Sequence, residues 1–83
     1  MREIIKFGAS WCQSCKAYGP VFDKWVEGQT NIEVKSLDVE DNPDLSANYR
    51  VMSVPTTIYL VDDKETNRHI GPMSTSELDK FIK

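Results

Sequence analysis

Two cysteines, one histidine and no long apolar run mark this 83-residue sequence, and each scarcity excludes something. Small secreted domains that lack a sufficient core compensate with several disulfides, and two cysteines cannot build such a framework. A closed zinc site wants four ligands, whereas Cys12, Cys15 and His69 supply three. His69 falls in a polar stretch where a solvent-exposed surface role is expected. The longest apolar runs are a few residues, too short for a membrane-spanning helix. Basic clusters are also missing, and the net charge is −3. Neither nucleic acid nor anionic lipid is therefore expected as a partner. The start, Met1 to Lys6, lacks the apolar region and cleavage site of a secretory signal, so a cytosolic address is the expectation.

What is present fits one domain over residues 1–83, in the order β-α-β-α-β-β-α. Glu3 to Phe7 reads as a buried strand, broken by Gly8-Ala9-Ser10. A helix begins around the cysteines, with Tyr18, Val21, Phe22, Trp25 and Val26 on one face. Gly19-Pro20 should kink it and Gly28 end it. Asn31 to Asp38 is a second strand. Asn42-Pro43-Asp44 opens a short helix, through a capping side chain, a first-turn proline and an acid, with Leu45 and Tyr49 facing inward. Thr56 to Val61 is the clearest strand by its β-branched and aromatic content. Asp62 to Lys64 turns the chain, and Thr66 to Ile70 returns as an edge strand. Ser74 and Glu77 form a capping box flanked by Met73 and Leu78, and Leu78, Phe81 and Ile82 give the last helix its apolar face.

The chemistry is carried by Cys12 and Cys15. At i and i+3 on the first turn of a helix they can form a disulfide with each other. The helix N-terminus favours a thiolate there through its free N–H groups and dipole. Cys12 should be the exposed, more acidic thiol; Cys15, one turn in, should be shielded. Cys12 would attack a substrate disulfide and Cys15 would resolve the mixed disulfide. The same spacing also serves metal sites: two thiolates can hold Cu(I), and two chains can share a zinc.

Taken with Val54-Pro55-Thr56, the run Trp11-Cys12-Gln13-Ser14-Cys15-Lys16 resembles the thioredoxin family, and the resemblance spans nearly the whole chain. Phe7, Ala9, Trp11, Cys12, Cys15, Lys16 and Pro20 occupy family motif positions. It implies an α/β, thioredoxin-like fold of minimal β-α-β-α-β-β-α order, a four-stranded mixed sheet with helices on both faces. It implies a cis Val54–Pro55 bond over the cysteines and a substrate surface of Trp11, Val54, Pro55 and Gly71. A protein-disulfide oxidoreductase follows, with no cofactor beyond its own Cys12–Cys15 disulfide. Client protein disulfides and a thioredoxin-reductase-like donor would be its partners, and the protein would be a monomer.

Three departures bear on tuning. The leading β-α unit of long thioredoxins is absent, leaving a chain of glutaredoxin size. A glutaredoxin-like reductase is the alternative, weakened because Gln13-Ser14 replaces that family's Pro-Tyr and Ile70-Gly71-Pro72 lacks its glycine pair. Gln13-Ser14 also replaces the usual Gly-Pro of thioredoxin. Finally, Lys6 and Ser36 occupy the positions of a buried acid and its neighbouring lysine. Lys6 would either stabilise the thiolates and make the couple more oxidising, or reach water or Asp38. Lys16 is expected at the surface.

Overall fold

A computed structural model describes residues 1–83. The elements are β1 (Arg2–Gly8), α1 (Gln13–Glu27), β2 (Ile32–Asp38), α2 (Pro43–Asn48), β3 (Thr56–Val61), β4 (Lys64–Ile70) and α3 (Thr75–Phe81). The sheet order is β2-β1-β3-β4. β1 pairs parallel with β2 and antiparallel with β3, and β3 pairs antiparallel with β4. The expected α/β fold with a four-stranded mixed sheet is therefore the one observed.

The alternation of β1 explains why this chain has two cores. Ile4 points to the side of α1 and α3, where Tyr18, Phe22, Trp25, Leu78 and Phe81 bury it. Ile5 and Phe7 point to the other side and join Ile58 and Leu60. Leu37, Val39, Tyr49 and Val51 close that second cluster from the α2 side. Helices thus cover both faces. Hydrogen bonds tie the first core together: Tyr18 Oη meets Thr57 Oγ1 at 2.9 Å, and Trp25 Nε1 donates to Asp79 at 2.8 Å. The capping box at Ser74 and Glu77 is formed, and Met73 and Leu78 are both buried beside it.

Several local expectations need correction. Val21 is 37% exposed, because helical rotation puts it at the margin of the Tyr18–Phe22–Trp25 stripe. Leu45 is 42% exposed, not inward. α2 is only six residues long and meets the sheet through the residues after it. Asn42 is the N-cap of α2, yet its side chain makes no capping bond; it donates instead to the Asp38 carbonyl. The hairpin turn is Asp62-Asp63 alone, both at positive φ (52° and 67°), so Lys64 already pairs with Val61. His69, across from Thr57, is half-buried and not the solvent-exposed residue expected.

Candidate active site

Cys12 is the N-cap of α1, in extended conformation at φ −94° and ψ 114°. An N-cap side chain accepts a hydrogen bond from the backbone three residues on, a place commonly held by Ser or Asp. Here sulfur does it: Cys15 N donates to Cys12 Sγ at 3.2 Å. The Ser14 hydroxyl lies 3.4 Å from the same sulfur. No acidic residue stands in the first turn of α1 to offset its dipole. The helix start is thus built to hold negative charge on one atom.

The two thiols separate accordingly. Hydrogen bonds from the Cys15 side chain and from Ser14 push the Cys12 thiol below its ordinary range, outweighing the opposing effect of burial. Burial pushes the Cys15 thiol up; its hydrogen bond to Cys12 and the Cys12 charge act in the same direction, while Lys6 pulls back. Whole-residue exposure runs opposite to the sequence expectation, although burial weighs more on the Cys15 sulfur than on that of Cys12. Cys12 is 8% exposed, because Ser14 and Val54 cover it, whereas Cys15 is half-buried. Acidity here follows hydrogen bonding and depth, not the area of the residue that solvent touches. Both cysteines are free thiols.

The other residues singled out above gather around this pair. Val54–Pro55 is cis. The Cys12 thiol donates to the Val54 carbonyl over 3.7 Å, and the Pro55 carbonyl accepts from Gly71 N at 2.8 Å. Gly71 sits at φ 105°, a conformation in which L side chains are strained, with open space beside its Cα. Trp11 is 65% exposed and lines a cavity of ≈ 270 Å³ with Val39, Val51, Met52 and Val54. Gln13, Ser14 and Lys16 are exposed on the first turn. Lys6 points toward α1, its ammonium 5.2 Å from the centre of the Phe22 ring. None of the three ion pairs involves it, so the expected alternative of pairing with Asp38 is not what forms.

Sequence reasoning missed three contributors. Met52, 90% exposed, adds apolar surface beside Trp11; a lone methionine in a loop gave no signal. Arg68 donates to the Tyr49 and Arg50 carbonyls and to Glu65, tying the segment that leads to Val54 onto β4. Gly8 lies beside the sulfur of Cys15, and only the register of β1 against α1 reveals it.

Comparison with known proteins identifies the family. The sequence matches the family profile described as Thioredoxin over residues 2–83. It is 30% identical to a thioredoxin of Mycoplasmoides gallisepticum over 82 residues, covering 99% of this chain and 82% of the relative. It is 34% identical to a thioredoxin of Mycobacterium bovis over 76 residues, covering 90% of this chain and 66% of the relative. Among solved structures, mitochondrial thioredoxin 3 of Saccharomyces cerevisiae superposes with a TM-score of 0.88 at 27% identity, covering 98% of this chain and 76% of that one. Neither the metal-handling nor the glutaredoxin-like alternative is favoured by these relatives. The chain belongs to the thioredoxin family, whose members act on disulfides and draw electrons from reductase-type donors, and it is a thiol–disulfide oxidoreductase.

Proposed function

We propose that Cys12 is the attacking thiol and Cys15 the resolving thiol of a protein-disulfide reductase. The observation that carries this is the hydrogen bonding at the helix start, where Cys15 N donates to Cys12 Sγ and the Ser14 hydroxyl lies within reach of the same sulfur. Cys12 thiolate attacks one sulfur of a client disulfide, forming a mixed disulfide and releasing the client's other sulfur as a thiolate. Cys15, deprotonated as the second step begins, attacks Cys12 Sγ. The client leaves fully reduced, and Cys12–Cys15 becomes the disulfide that a reductase-like donor must reopen.

In this reading an extended client segment lies along Trp11, Val54, Pro55 and Gly71, pairing with the backbone of the Val54 loop. Gln13, Ser14, Lys6 and Lys16 tune the couple, and the disulfide itself carries the electrons without a further cofactor. One domain over residues 1–83, a monomer in the cytosol, completes the proposal. An isolated cysteine pair, without a wider disulfide framework, suits a reducing compartment.

The test uses single-thiol variants with a protein disulfide. Cys15→Ser should accumulate a stable mixed disulfide through Cys12, and Cys12→Ser should accumulate far less. Equal trapping by both variants would sink the assignment. The alkylation rate of Cys12 should reach half its maximum at a pH below that of an ordinary thiol. Ser14→Ala should move that midpoint upward, because it removes a donor to the charged form, and should lower the neutral-pH rate severalfold.

A further inference from the structure

The stretch Met52-Ser53-Val54 borders both the reacting sulfur and the cavity at Trp11, and it is held mainly from its ends. None of its three backbone N–H groups donates to another backbone group of the chain. Of its carbonyls, that of Ser53 accepts from the Thr56 hydroxyl at 2.6 Å and that of Val54 from the Cys12 thiol over 3.7 Å. After the stretch the chain is fixed at once: Gly71 N donates to the Pro55 carbonyl at 2.8 Å, and Thr56 opens β3. Its other end is the point of interest, because the element there is the short helix α2.

α2 closes in a Schellman turn, with Arg50 N donating to the Ala47 carbonyl at 3.0 Å and Val51 N to the Ser46 carbonyl at 2.9 Å. The turn holds Arg50 at φ 54°, a left-handed conformation that favours glycine. A six-residue helix with no buried residue is a weak anchor for a strained turn. Arg68 supplies what α2 lacks. It stands on β4 opposite Ile58, on the sheet face of the α2-side core. From there its guanidinium donates to the Tyr49 carbonyl and, at 3.4 Å, to the Arg50 carbonyl. Two more donor contacts, both 2.8 Å, go to the two carboxylate oxygens of Glu65 and fix the plane of the fork.

We propose that Arg68 is a positioning residue that preorganises Met52, Ser53 and Val54 for extended protein clients, and so biases the site toward protein disulfides over small ones. The proposal rests on the thiol–disulfide reading above and adds a specificity determinant to it. The hydrogen-bond partners of the Arg68 side chain are two backbone carbonyls and Glu65, none of them a reacting atom. Its action is through the backbone. With Tyr49 and Arg50 clamped to β4 and Pro55 tied to Gly71, the residues between them keep their place beside Cys12.

An extended client pairs with that backbone, and a segment left free would have to be ordered at the moment of binding. Ordering costs affinity, so a clamp made in advance tightens binding without adding a contact. A small disulfide needs only the sulfur of Cys12 and gains nothing from the clamp. The influence of Arg68 therefore falls on client binding and not on the exchange of sulfurs.

The experiment uses the full chain, reduced beforehand and freed of reductant, and follows formation of the Cys12–Cys15 disulfide by acid quench, alkylation and intact mass. The probes are insulin, a protein disulfide, and 2-hydroxyethyl disulfide, a small neutral one. Arg68→Met keeps the aliphatic stem and removes every donor. The insulin-to-small-disulfide ratio of second-order rate constants should fall at least fivefold, a ratio in which any change in thiolate fraction or active protein cancels. The loss should lie in the insulin concentration that gives half the maximal rate, not in the maximal rate itself. Arg68→Lys, which keeps the charge and one carbonyl within reach, should recover part of the ratio. Should Arg68→Met not fold, Arg68→Lys carries the test, with a fall of at least twofold expected. An unchanged ratio in the folded variant, or a loss confined to the maximal rate, would overturn the proposal. The parent protein separates the two readings: failure to react with either disulfide refutes the oxidoreductase assignment. Reaction with both, at a ratio indifferent to Arg68, refutes only the positioning role.

Discussion

α2 and α3 are almost equal in length, six and seven residues, but they are held in opposite ways. α3 buries Leu78 and Phe81 against the sheet and closes its start with a complete capping box. α2 has no buried residue and no side-chain cap. It is kept in place by its flanks: Asn42 donates to the Asp38 carbonyl before it, and Tyr49 and Val51 pack on Phe7 and its neighbours after it. The difference teaches what each helix is for. α3 covers the core under α1. α2 is a spacer that sets down the chain near Val54, the residue whose carbonyl meets Cys12. A spacer needs fixed ends more than a buried face.

The sharpest break in that comparison comes from truncating the packed helix. Leu78 is fully buried among Ile4, Phe22, Tyr59 and Phe81. Leu78→Ala should cost about 2–5 kcal/mol, lost contact plus the cavity left behind. Against a total of about 5–15 kcal/mol, that is a large share, read as a fall in the denaturation midpoint at unchanged slope.

Next in size is the tether of the α2 flank. Arg68 is part-buried and donates to the Tyr49 carbonyl, an arrangement in which a charged donor serves the end of α2. Its pairing with Glu65 is near the surface and worth little by itself. Arg68→Ala should cost about 1–2 kcal/mol, mostly through the carbonyls it leaves unpaired. The loss should be local: amide exchange across residues 49–55 should speed up more than exchange in α3. Uniform acceleration would show that Arg68 supports the whole fold and does not act as a tether.

How much of this was legible follows from how local each determinant is. The Ser74–Glu77 box, the Thr56–Val61 strand and the Cys12 cap each lie within a few consecutive residues, so their chemistry can be read along the chain. The family motif positions came from the resemblance and located the Val54–Pro55 loop beside the cysteines. What could not be read was set by distant residues meeting. The closeness of Gly8 in β1 to the Cys15 sulfur depends on how α1 packs on the sheet, and the role of Arg68 on a carbonyl 19 residues away. Leu45 looked inward because it is apolar and near a helix start, but one and a half turns give α2 no stripe to aim.

Ser74→Ala tests the cap itself and should cost about 1 kcal/mol. It also predicts a pH dependence. Hydrogen bonds from the Ser74 backbone and hydroxyl hold the Glu77 carboxyl below the usual carboxylate range. A carboxyl depressed in the folded state binds its proton more readily when unfolded. Its stabilising contribution is therefore complete above the unfolded value and is lost as pH falls through the folded one. Glu77→Gln should flatten that part of the acid limb of the stability curve; an unchanged limb would show that the box contributes geometry alone.

The smallest effect is the most discriminating. Leu45 is the largest apolar side chain of α2, and by composition it should be worth as much as Leu78. At 42% exposure it has little area to lose, and alanine is a better helix former. Leu45→Ala should therefore leave stability within about 0.5 kcal/mol of the parent in urea denaturation. It should also leave exchange in residues 49–55 unchanged, because the flanks and not the helix face hold that segment. A loss near that of Leu78→Ala would mean that α2 packs through its face after all, and the contrast between the two helices would collapse.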